Sequence, residues 1–169
     1  MTAPYTETYE RSHRIMALAP GPCGTGYAVI ETPLFTLDRG VNSCTGAPTA
    51  RVAVLTRLIE WYRPDILILE DIEAAGCRRR RGARDLIRGL AEAAERRGIA
   101  VRPIGRLAVL EHFGEGRRPT KVEIAHAIAE RLPELRQHVP PSRRLWGREA
   151  HSMPMFDAFA MIFTATKTE

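Results

Sequence analysis

Lysine is almost missing from this sequence: of 25 basic Lys and Arg side chains, 23 are Arg, and only Lys121 and Lys167 are Lys. Arg stays charged and grips phosphate through two parallel hydrogen bonds, so an arginine-dominated set favours a polyanionic partner. Cysteine is equally scarce. Cys23, Cys44 and Cys77 are odd in number, far apart and without a CxxC pair, which excludes a disulfide framework and a thiolate zinc site. They read as free thiols in a reducing compartment. The five His are scattered too, which argues against a histidine metal cage. No apolar run approaches the roughly 18 residues of a membrane span. The opening MTAPYTETYERSHR mixes acids with bases and does not read as a secretory leader. These absences predict a soluble cytoplasmic protein with no membrane partner.

What is present suits one folded unit. At 169 residues with 44% hydrophobic content, the chain can bury one sizeable core. The reading is a flexible segment over 1–12 and a single domain over 13–169. The net charge of +5 is unevenly spread: between Gly76 and Arg106 ten Arg face only Asp85, Glu92 and Glu95. A GC-rich genome or a thermophilic source would explain much Arg, but not its clustering. Arg78, Arg79, Arg80 and Arg81 follow Gly76 as an unbroken run, with Arg84 close behind, and read as side chains free to hold a phosphate backbone.

Periodicity and turn residues outline the elements. RIMALA at 14–19 reads as a strand stopped by Pro20-Gly21, and GTGYAVIE at 24–31 as its hairpin partner. A third strand is expected near 33–38. Apolar spacing predicts a helix over 48–62, started by Pro48, in which Trp61 reads as core. DILIL at 65–69 is the continuous apolar run of a buried parallel strand. A helix over 84–97 stopped by Gly98, a strand over 99–104, and a helix from Thr120 to Leu132 follow. Thr120 and Glu123 have the spacing of a capping box. A Pro- and Arg-rich loop over 138–148 leads to a last helix from about Met153 to Thr166. Three antiparallel strands followed by α/β crossovers make a mixed sheet with helices on its faces.

Two acids stand out from this pattern. Glu70 follows ILIL at the carboxyl end of a parallel strand, where ligands of α/β sheets gather. A solvated strand-end acid is the plainer explanation. Asp157 is the one acid between Glu149 and Glu169, inside a helix whose Met153, Phe156, Ala160 and Phe163 form an apolar stripe. The helix dipole would favour an acid in the first turns, but one beside a Phe/Met stripe is costly, which points to function. The turn around Pro20-Gly21 and Thr25-Gly26-Tyr27 is a weak phosphate loop and an ordinary tight hairpin.

Four segments together resemble the RuvC family of Holliday-junction resolvases: RIMALAPGPCGTGYAVIE, PDILILE, TKVEIAHAIAERLPEL and FDAFAMIFTA, in the family's order and spacing from about Arg14 to Thr166. The resemblance implies an α/β, ribonuclease H-like fold, a mixed five-stranded sheet flanked by helices. It also implies a homodimer that nicks four-way (Holliday) junctions symmetrically with two Mg²⁺ per active site, Mn²⁺ being able to substitute. On this mapping Glu70 and Asp157 are metal ligands, and Lys121 contacts phosphate near the cut. Ala19 stands where the family has its first catalytic Asp, and a methyl cannot hold a cation. The chain is therefore expected to be nearly inactive, in the manner of a trapping Asp-to-Ala exchange. Pro154 occupies a position where many relatives carry another acid, and Glu149, ahead of His151, is the candidate to replace it as a catalytic ligand. Arg78–Arg81, Arg84 and Lys121 are the expected DNA contacts. The short, divergent pattern leans towards a phage-type source, in a bacterial cell or an infected host.

Three other readings remain open on the sequence. One is a non-catalytic junction-binding protein with a natural Ala19. Another is a different ribonuclease H-like nuclease acting on branched DNA or hybrids. The third, an ATP-binding protein of the sugar-kinase and actin class, is opposed by the missing second phosphate motif and by the Arg cluster.

Overall fold

The apolar run at the start of the chain forms strand β1, Arg14–Gly21, which continues through the Pro20-Gly21 expected to stop it and turns at Pro22-Cys23 into its antiparallel partner β2, Gly24–Glu31. The computed structural model describes residues 12–141 and 147–166. Most of the segment expected to be flexible, and Trp146 with its neighbours in the Pro/Arg-rich loop, lie outside the described residues. The third strand, β3, runs Phe35–Asn42 and not 33–38. Residues 32–34 make the turn, and the polar Asp38-Arg39-Gly40 continues as strand because β3 is the sheet edge, with one side open to solvent.

Helix α1 spans Pro48–Tyr62 with Pro48 at its first position, and ends at Arg63 in the left-handed region. Its buried residues are Leu55, Thr56 and Ile59, with Val52, Leu58 and Tyr62 partly buried beside them. Trp61 is 79% exposed, which corrects its assignment to the core: the apolar residues of this helix cover more of its circumference than the sheet can bury. Strand β4, Ile66–Glu70, lies parallel to β1, and β5, Ala100–Ile104, lies parallel to β4 on its far side. The sheet order is β3-β2-β1-β4-β5.

Helix α2 occupies Arg81–Glu95, starting three residues before the expected Arg84 because nothing in Arg81-Gly82-Ala83 opposes a first helical turn. A nine-residue helix that the pattern did not reveal, α3, follows β5 at Arg106–Gly114. Helix α4, Lys121–Arg131, begins with the capping box intact: Thr120 accepts from the Glu123 amide at 3.2 Å, and Glu123 accepts from the Thr120 amide at 2.7 Å. A 3-10 turn over Pro133–His138 precedes the last helix, α5, Met153–Thr166.

Two apolar layers hold these elements. Met16, Leu18, Val29, Leu67 and Leu69 face α1 and α2 on one side of the sheet. Ile15, Ala17, Ala19, Ala28, Ile30 and Ile68 face α4 and α5 on the other. Every residue of α5 except Asp157 and Thr166 is buried, so this helix is the centre of the second layer. It is seated by two glycines of the hairpin. A Cβ on Gly26 would stand 1.9 Å from the Pro154 carbonyl carbon, and one on Gly21 would stand 2.5 Å from the Pro154 ring. No helix among the described residues is long and apolar enough to cross a membrane.

Candidate functional site

The alternation of side chains along β1 and β4 decides what can meet. Ala17 is paired with Ile68, so the same parallel register carried two residues on sets Ala19 beside Glu70. Both then face α5, where Asp157 breaks the apolar stripe. The resulting cleft is lined by Ala19, Glu70, Arg79, Arg106, Lys121 and Asp157, with Ile104, Val109 and Leu110 among its apolar walls. Four candidate positions far apart in the chain are therefore neighbours: Ala19, Glu70, Lys121 and Asp157.

Each carboxylate is already held. Arg79 donates from Nε to Glu70 Oε2 at 2.5 Å and from a terminal nitrogen to the Pro20 carbonyl at 2.7 Å. Lys121 Nζ donates at 2.8 Å to Glu149 Oε1 and at 2.8 Å to Asp157 Oδ2. Lys121 is the first residue of α4, where a cation works against the helix dipole, and the two acids offset that cost. Burial works against the Lys121 charge, but Asp157 and Glu149 outweigh it, and its pKa lies above the ordinary value. Burial pushes the Asp157 carboxyl up; Lys121 opposes this, Glu149 adds repulsion, and Arg79 pulls the other way. Asp71, next to Glu70, serves the loop instead. Its Oδ1 accepts from the amides of Glu73 at 3.0 Å and Ala74 at 3.1 Å, which turns the chain towards the Arg run.

The Arg run divides into two sets. Arg78, Arg80 and Arg81 are exposed. Arg79 and Arg84 are not the free side chains expected. Arg79 is drawn into the cleft, and Arg84 donates from Nε to the Arg79 carbonyl at 3.1 Å, which braces that loop from behind. The sequence showed no difference among the four consecutive Arg, all expected as DNA contacts, and the seating of Arg79 against Glu70 and Pro20 is the main addition made by the structure. Its signal was its distance from Glu70, nine residues along a loop that must fold back over the strand end. Phe113 packs against the core.

A pair of divalent cations does not fit this donor set. Of the expected ligands, Glu70 and Asp157 line the same cleft and Glu149 lies beside it, but all three are already neutralised: two share Lys121, and the third is held by Arg79. Among the described residues no three His, Cys, Asp or Glu groups cluster as metal ligands. Ala19 offers a methyl, with no oxygen to give a hard cation, where the family resemblance implies a carboxylate ligand. The cysteines are free thiols, as expected.

No family model matches the chain, and no curated protein matches it in sequence. Solved structures do. A Thermus thermophilus RuvC structure has TM-score 0.61 and 18% identity, over 90% of this chain and 95% of that one. T. thermophilus RuvC in complex with Holliday junction substrate has TM-score 0.58 and 17% identity, over 91% and 94%. The yeast mitochondrial Holliday junction resolvase has TM-score 0.59 and 12% identity, over 92% and 78%. The chain thus has the ribonuclease H-like fold of these resolvases: an α/β, mixed five-stranded sheet flanked by helices.

Proposed function

We propose that this chain recognises four-way or otherwise branched DNA as a homodimer, and that its own cleft cuts that DNA poorly or not at all. The observation that carries the reading is the convergence of Ala19, Glu70 and Asp157 at one strand end, with a methyl in place of an oxygen. A resolvase-type hydrolysis by two cations needs carboxylates at all three positions. Losing one costs several kcal/mol of transition-state stabilisation, each 1.4 kcal/mol being about tenfold in rate. Recognition does not depend on those oxygens. The exposed Arg78, Arg80 and Arg81 sit at the start of α2, on the loop that returns Arg79 to the cleft, so phosphate contacts would surround the site. Selectivity for a branch point then comes from two clefts set apart by a twofold axis. A cytoplasmic setting fits a DNA partner.

The test is anisotropy of a labelled four-way junction against a linear duplex of equal length, with the products run on a denaturing gel in Mg²⁺. Binding about tenfold or more in favour of the junction, without nicks, is the expected result. Equal affinity for both shapes would defeat the junction reading, and efficient cleavage would defeat the impaired-site reading. Replacing Arg78, Arg80 and Arg81 together with Gln is expected to weaken binding to every DNA shape alike. The salt dependence, plotted as log K against log salt, should become shallower by about 3, near 0.9 for each phosphate no longer neutralised. An unchanged slope would mean that other cations neutralise the DNA backbone.

A further inference from the structure

We propose that Arg79 is the resident cation of the cleft, filling the seat between the ends of β1 and β4 that a divalent ion would take. The cleft therefore binds no divalent cation unless a negative charge is added to it or a positive one removed. The atoms that Arg79 holds carry the inference. A backbone carbonyl oxygen on β1 and a carboxylate oxygen on β4 are the hard donors a divalent cation seeks. Both are taken by one guanidinium, at 2.7 Å and 2.5 Å. Glu70 keeps only 11% of its side chain exposed and Arg79 only 29%, so the pair is screened from competing ions. Arg79 is also near enough to act on the charge of Asp157.

The charge of the whole cleft agrees. Three carboxylates, Glu70, Asp157 and Glu149, meet three cations, Arg79, Lys121 and Arg106. A fourth carboxylate at position 19 would leave the cleft one charge short. With Ala19 nothing is short, and an incoming divalent ion would have to evict a guanidinium bound by two charge-assisted hydrogen bonds. Arg79 is not poised to leave, because Arg84 braces its carbonyl. The chain's own cations have thereby taken over the neutralising role of metal ions.

The test uses the full chain without DNA, so it can fail independently of the junction reading. Mn²⁺ is titrated into the protein and into Arg79→Gln, followed by thermal unfolding and by loss of the free-Mn²⁺ electron paramagnetic resonance signal. The unaltered chain is expected to show neither a shift nor bound Mn²⁺. Arg79→Gln is expected to unfold at lower temperature in EDTA and to gain about 5 °C at Mn²⁺ well above its Kd. Adding Glu70→Gln should abolish that gain. Arg79→Lys, which keeps a cation, should behave like the unaltered chain. Tight Mn²⁺ binding by the unaltered chain would overturn the proposal, as would an Arg79→Gln protein that ignores Mn²⁺. Should Arg79→Gln fail to fold, Ala19→Asp, which adds a negative charge to the cleft instead, is expected to bind Mn²⁺, and an Ala19→Asp protein that ignores Mn²⁺ would overturn the proposal.

Discussion

Ala19→Asp is expected to turn this chain into a Mg²⁺-dependent nicking enzyme on four-way junctions, raising the cutting rate at least about a hundredfold. Ala19 is only 2% exposed, yet its methyl lines the cleft, so a carboxylate grown from it projects towards Glu70 and Asp157 rather than into the core. It adds one negative charge to a cleft in which carboxylates and cations are matched. The single charge of Arg79, which already spans Pro20 and Glu70, is matched by the acid it holds and cannot balance a further one as well. The deficit recruits a divalent ion, and a contribution of about 3 kcal/mol at the transition state corresponds to roughly two orders of magnitude. A second readout comes without DNA. In EDTA the variant should unfold at lower temperature than the parent, since a buried carboxylate without a partner is costly, and Mg²⁺ should restore it. A variant that binds junctions tightly but never nicks them would make this protein a binding module and remove Glu70 and Asp157 from any catalytic role.

Gly26→Ala is expected to abolish folding, or to lower stability by more than about 3 kcal/mol. The new methyl would stand 1.9 Å from both the carbonyl carbon and oxygen of Pro154 and 2.4 Å from the Met155 nitrogen. These are backbone atoms at the start of α5, so no rotamer change can make room. Relief requires α5 to lift from β2, and twelve of its fourteen residues are buried. Gly82 is the control: a Cβ there meets nothing within 4 Å, and Gly82→Ala inside α2 should be neutral or stabilising by up to about 1 kcal/mol. Soluble yield and the urea midpoint of the two variants decide the matter. A normal midpoint for Gly26→Ala would mean that α5 does not rest on β2 through Pro154.

The contrast between these positions shows what could be read from the chain alone. Gly26 looked like part of a turn, because sequence marks a glycine without saying whether φ or close approach demands it. Here Gly24, with φ of 139°, serves the turn, whereas Gly26 serves a helix far along the chain. Elements with strong local signals were legible: the 24–31 strand, α1 from Pro48, α4 behind its capping box, and α5 with its apolar stripe. Helix α3 was not, being nine residues long with no side-chain cap at Gly105 and no acid in its first turn. Glu70 and Asp157 were legible because an acid in apolar surroundings needs a reason. Arg79 was hidden among identical neighbours, and the link from Lys121 to Glu149 lies across 28 residues and a loop. Which Arg turns inward is settled by reach to Glu70 and to the Pro20 carbonyl 59 residues back, a tertiary fact.

The burial of α5 has a consequence for how this cleft can change over time. Two of its acids stand on stiff members: Glu70 ends a strand paired on both sides, and Asp157 rides a helix whose amides should exchange with solvent only when the whole molecule unfolds, whereas Glu149 lies in the irregular chain before that helix. Its cations stand on lighter ones, Arg79 on the 71–80 loop and Lys121 at the first residue of a helix. Exchanging Glu70 or Asp157 therefore disturbs the chassis, whereas exchanging a cation disturbs only its fittings. Descendants of this chain can drift between ion-free and ion-dependent forms by altering Arg79 or position 19, while the frame beneath stays as it is.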